Sequence, residues 1–158
     1  MKRTTIIEII CFLYAVLFLY TGIGKLIEYD TFKEQLLESP LIPFGAPIVA
    51  ILIPLIEFLV VLCLVVPRLR LKGLYAAGAT MVAFTAYIIG LMTLSDKLPC
   101  SCGGIISALS WQQHIVFNCA FIVLAGCGIF LQRRLVKENK KLWTSNISIH
   151  QNIAPKNI

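Results

Sequence analysis

Charge is what this chain has least of. Only 14% of its 158 residues are Asp, Glu, Lys or Arg, where a soluble domain carries about a quarter. With 58% hydrophobic residues and a mean hydropathy of +0.85, that scarcity excludes an ordinary soluble domain and points to a membrane protein. A glycine-rich nucleotide-binding loop is also missing, which argues against an ATP-driven role. No internal repeat is visible. Acidic residues number 8 against 14 basic ones, but the excess does not signal nucleic acid. The basic residues sit in short connections and in the C-terminal tail, a distribution that membrane topology explains.

What the chain does have is four long apolar runs, at about residues 6–24, 46–66, 71–94 and 113–131. Each approaches or exceeds the roughly 20 residues needed to cross a hydrocarbon core about 30 Å thick. Backbone at that depth must satisfy its own hydrogen bonds, so the runs are predicted to be helices. The expected fold is all-α: a polytopic four-transmembrane-helix bundle at 1–132, followed by a basic, polar tail at 133–158. The first run starts almost at Met1 and ends in Thr21-Gly22-Ile23-Gly24-Lys25. It is too long for a secretory h-region and reads as an uncleaved signal anchor.

The basic residues orient the bundle. Eleven of them fall on one side (Lys2, Arg3, Arg68, Arg70, Lys72 and six in the tail), and three on the other (Lys25, Lys33 and Lys97). By the positive-inside rule both termini face the cytoplasm. The first and third connections then face the periplasm of a bacterial inner membrane. In the first connection, Thr31 and Glu34 have capping-box spacing, and Phe32, Leu36 and Leu37 share a helical face. A short interfacial helix ending at Ser39-Pro40 is expected there. After Trp143 the tail is polar with little periodicity and reads as a mobile extension.

The third connection carries Leu98-Pro99-Cys100-Ser101-Cys102-Gly103-Gly104. Outside the cytoplasm a disulfide is permitted. Between residues i and i+2 it closes a very small ring, which departs from relaxed geometry and is easily reduced. Such a ring removes little chain entropy, so a stapling role is weak. A redox couple, a soft-metal site and an inert pair all remain open for Cys100 and Cys102. The other four cysteines, Cys11, Cys63, Cys119 and Cys127, lie inside the apolar runs and read as small hydrophobes.

Polar residues stand behind this loop. Ser110 and Gln113 have capping-box spacing at the start of the fourth span, with Trp111 between them at the interface. His114 and Asn118 are four apart and share a face. A helix N-terminus with a nearby imidazole favours a thiolate. Glu57 is the costliest residue, since a charge in mid-membrane costs roughly 2.5–3.5 kcal/mol on insertion scales. It is expected to be protonated or paired, with Tyr14, Tyr20, Thr80, Thr85, Tyr87 or Lys25 as candidates. One reading makes Glu57, Trp111 and Lys25 the lining of a quinone-sized cofactor cavity. The other makes Glu57 a packing contact and Lys25 a snorkelling anchor.

The chain resembles the MauE/DoxX family of small redox-associated bacterial membrane proteins, in the form common in Bacteroidetes. The likeness is carried by Tyr20-Thr21-Gly22-Ile23-Gly24-Lys25, by Pro54-Leu55-Ile56-Glu57, and by Pro99-Cys100-Ser101-Cys102-Gly103-Gly104 followed by Trp111, His114 and Asn118. It spans about residues 5–132. The resemblance implies a four-helix membrane protein linked to thiol or disulfide chemistry outside the cytoplasm. MauE proteins are associated with methylamine utilisation, and DoxX relatives with membrane oxidoreductase complexes. In the family the cysteine pair is often followed by Phe-Gly; here Gly103-Gly104 follows directly. No residue here points to methylamine itself.

The expected function is membrane thiol–disulfide exchange. Cys100 and Cys102 would trade electrons with a periplasmic thioredoxin-like protein or the quinone pool, tuned by His114 and Asn118. One competing reading is Cu(I) or Zn(II) handling by the two thiolates and His114. The other is a non-catalytic membrane subunit that anchors an oxidoreductase.

Overall fold

The computed structural model describes residues 2–40, 44–94 and 111–153. These form five helices and, among the described residues, no strand: α1 (Lys2–Ile27), α2 (Tyr29–Glu38), α3 (Ala46–Val65), α4 (Arg70–Leu94) and α5 (Trp111–Ile153). Four of them, all but α2, are long and apolar enough to span a membrane. The predicted all-α polytopic architecture is therefore what the chain adopts.

The four spans close into a ring. α1 packs on α3, α3 on α4, α4 on α5, and α5 returns to α1, with the α1–α3 contact the most extensive. Inside lies a core of Ile7, Ile10, Tyr14, Phe18, Leu64, Leu74, Ala77 and Met81. Outside lie Phe12, Ile48, Leu62, Val116 and Val123, all more than half exposed. In water this would be an aggregation surface; in lipid it is the expected exterior. Pro54 sits inside α3, tolerated because neighbouring helices cover the backbone it disturbs.

Small residues set the tightest approaches. At the α3–α4 turn, a Cβ on Gly73 would lie 2.8 Å from the Leu64 amide nitrogen and 2.9 Å from the Cys63 carbonyl carbon. Only glycine lets the two helices fold back so closely. The Tyr14 hydroxyl donates to the Phe121 carbonyl, linking α1 to α5 through the core.

Three local expectations are corrected. α2 begins at Tyr29 with no side-chain capping bond at Glu28, so Thr31 lies inside the helix and the capping box does not form. Phe32 and Leu36 are buried against Ala46 and Ala50 of α3, but Leu37 is 46% exposed. α5 does not stop near Leu131 or give way to irregular chain after Trp143; it runs unbroken to Ile153. Lys, Glu, Gln and Leu at 132–142 are good helix formers, and beyond Trp143, where Thr, Ser, Asn and Ile dominate, no Pro or Gly interrupts the helix before Pro155.

Candidate functional site

Glu57 has no exposed surface. One carboxylate oxygen, Oε1, accepts from Lys25 Nζ at 2.7 Å and lies 3.1 Å from the Thr21 hydroxyl. The other, Oε2, has no hydrogen-bond partner and lies against Gly22, where a Cβ would come within 3.2 Å of it. The absence of a side chain at residue 22 is what lets the carboxylate reach α1. Gly22 also faces the Phe58 ring, at 3.3 Å from the same Cβ position.

Lys25 is turned inward. Its side chain is 15% exposed, and besides Glu57 it donates to the Thr21 carbonyl at 3.4 Å. Its ammonium stands 5.4 Å from the centre of the Phe84 ring on α4 and 5.9 Å from that of Phe32 on α2. Ring faces attract a cation, and more so when it is shielded from water. Lys25 is thus not a snorkelling anchor. α2 folds over the end of α1 and covers it, which the positions of Thr21 and Lys25 one turn apart did not reveal.

Three of the residues weighed as Glu57 partners, Tyr14, Thr80 and Thr85, are engaged elsewhere. Tyr14 bonds to Phe121, Thr80 to the Ala76 carbonyl at 2.9 Å, and Thr85 to the Met81 carbonyl at 2.7 Å. The partner that sequence reasoning missed is Thr21. A threonine four residues before a lysine on one helix face was the available signal.

His114, in the first turn of α5, is half-buried and within electrostatic reach of Lys25. Asn118, one turn further, is buried. Side chains of α1, α2, α3 and α4 therefore meet at Lys25 and Glu57, and the start of α5 borders them. α5 begins at Trp111. Cys100, Cys102 and Ser110 lie outside the described residues, so the cysteine pair and the Ser110 capping box are not placed. Among the described residues, no group of three or more His, Cys, Asp or Glu side chains is arranged to hold a metal.

Cys11, Cys63, Cys119 and Cys127 are free thiols. Cys11 is buried and Cys63 half-buried, while Cys119 and Cys127 are exposed on the lipid-facing side of α5.

The family model described as methylamine utilisation protein MauE matches residues 3–131. The chain belongs to the MauE family. The match covers all four spans and includes Thr21, Lys25, Glu57, His114 and the Cys100-Ser101-Cys102 stretch. No curated protein and no solved structure matches the chain. This MauE-family chain is a multi-pass membrane protein with a buried lysine–glutamate pair between its first and third helices.

Proposed function

We propose that the protein is a membrane thiol–disulfide redox protein whose working groups are Cys100 and Cys102, facing the periplasm from a bacterial inner membrane. A thiolate of the pair attacks a disulfide sulfur of a thioredoxin-like partner, and the partner's other sulfur leaves as a thiolate. The second cysteine then attacks the mixed disulfide. The pair becomes a disulfide, the partner becomes a dithiol, and two electrons pass to the partner. Run backwards, the same steps oxidise the partner.

The observation that carries this reading is that half-buried His114, in the first turn of α5, stands within electrostatic reach of the buried Lys25–Glu57 pair, next in sequence to the segment that holds both cysteines. The N-terminus of α5, with its unpaired backbone N–H groups, favours thiolate over thiol nearby. His114 and Asn118 hold and orient polar groups there, and Lys25 with Glu57 forms the floor. Should electrons move on to a membrane carrier, the polar floor facing Phe32 and Phe84 is where a quinone headgroup would sit.

The test is acid-trapped labelling of intact spheroplasts with a membrane-impermeant maleimide, with and without mild reduction. The wild type is compared with the Cys100→Ser/Cys102→Ser variant. Two thiols labelled only after reduction, and absent in the variant, are expected. Identical labelling of wild type and variant overturns the reading. So does full oxidation of the partner by the variant in vesicles.

A further inference from the structure

α5 is 43 residues long, which at 1.5 Å per residue is roughly 65 Å, about twice a hydrocarbon core. The half beyond Leu131 carries Arg133, Arg134, Lys137, Lys140 and Lys141, all exposed. At about 100° per residue these five fall within an arc of roughly 120° on one side of the helix. Beside that arc stand Val136 at 48% exposure, Trp143 at 66% and Ile147 at 36%. Glu138, the single acidic residue of α5, borders the arc one turn beyond Arg134 and is held by Arg3 of α1 at 3.0 Å. The five cations thus have a single carboxylate beside them on their own helix, and it is already paired with α1.

We infer that this stripe is a docking surface for anionic phospholipid headgroups of the leaflet at that end of the bundle. Three observations favour lipid as the occupant. The stripe continues directly from a membrane span, so Arg133 and Arg134 stand at the edge of the core. Lys137 to Lys141 follow within about 15 Å of Leu131, a distance comparable to the 10 Å over which a charged surface acts at moderate salt. Val136, about 8 Å beyond Leu131 on the flank of the stripe, stands at headgroup depth, where apolar side chains settle. Clustered Lys and Arg next to a span gain attraction from each anionic headgroup they approach. Arg3, by neutralising Glu138, binds the extension to α1 and keeps its cationic side outward.

The test uses the full chain with Trp111→Phe, Trp143→Phe and Val136→Trp, so that position 136, about 8 Å beyond Leu131, carries the sole tryptophan reporter. It is reconstituted in phosphatidylcholine vesicles in which either dibrominated phosphatidylglycerol or dibrominated phosphatidylcholine is present at equal mole fraction. Brominated phosphatidylglycerol is expected to quench this reporter more strongly, by roughly threefold at low salt. The preference should collapse in half-molar salt and in a Lys137→Gln/Lys140→Gln/Lys141→Gln variant whose circular dichroism is unchanged. Equal quenching by the two lipids overturns the proposal and leaves the stripe to an acidic soluble partner. A preference that survives the triple substitution also overturns it.

Discussion

Lys25 and Glu57 are held 2.7 Å apart, with 15% of one side chain and none of the other exposed. A buried pair is strongly destabilised when one member is removed, because the other is left charged and uncompensated; the penalty is roughly 3–5 kcal/mol. Lys25→Met and Glu57→Leu should each lose that order of stability. The double variant should recover much of it, since two apolar side chains of similar volume leave no orphan charge. Reversible unfolding of the purified protein in mixed micelles, run as a double-mutant cycle, measures the coupling. Strictly additive losses would show that the two residues do not stabilise each other.

Gly22 and Gly24 lie two residues apart on α1 and meet different surroundings. A Cβ at Gly22 lands 3.2 Å from Glu57 Oε2 and 3.3 Å from Phe58, while one at Gly24 meets nothing within 4 Å. Gly22→Leu should overpack the α1–α3 contact and cost about 1–3 kcal/mol. Gly24→Ala should be neutral or slightly stabilising, because the helix gains a residue of better propensity. Comparing the two midpoints in the same micelle decides it; equal losses would contradict the packing of α1 on α3.

Much of this fold was legible in the sequence because lipid leaves few choices. Four apolar runs of sufficient length must be helices, and all four are. Glu57 stood out because an acid in mid-span demands a partner. Its partner was harder to single out: Lys25 sits near the end of α1, where lysine ordinarily reaches for water. Its burial depends on α2 folding over it, a tertiary event with no periodic signature. Phe32 shows the same limit, since its amphipathic spacing placed it on a buried face without saying that the face meets a cation. The continuation of α5 to Ile153 was masked by the loss of apolar periodicity after Trp143. Good helix formers and the Arg3–Glu138 contact, rather than an apolar face, carry α5 to Leu142, and beyond that no Pro or Gly stops it before Pro155.

Gly73 offers a sharper steric test than Gly22. The atoms its Cβ would meet, at 2.8 Å and 2.9 Å, belong to the backbone of Leu64 and Cys63, and backbone inside a helix cannot rotate away. Gly73→Ala should therefore force α3 and α4 apart at their shared turn. The expected loss is at least as large as that for Gly22→Leu, on the order of 2–3 kcal/mol. Proteolysis at the 66–69 turn should accelerate in parallel, because the turn loses its close support. An unfolding midpoint within error of wild type would exclude this approach of the two helices.

Tyr14 is the largest side chain with no exposed surface, and its two roles can be separated. Its ring stacks on Phe18 at a centroid distance of 5.8 Å and meets Phe121 edge-on at 5.2 Å. Its hydroxyl donates to the Phe121 carbonyl. Tyr14→Phe keeps both ring contacts and removes the donor, leaving a helix carbonyl that still accepts within α5. That loss should be small, about 0.5–1.5 kcal/mol. Tyr14→Ala also empties the centre of the bundle and should cost about 3–5 kcal/mol. The gap between the two variants, read from unfolding in one micelle system, isolates packing from hydrogen bonding. Packing is expected to dominate, since bilayer and core are equally apolar and association of the spans rests on close contact rather than on escape from water. If Tyr14→Phe were as damaging as Tyr14→Ala, the hydroxyl and not the ring would be what joins α1 to α5.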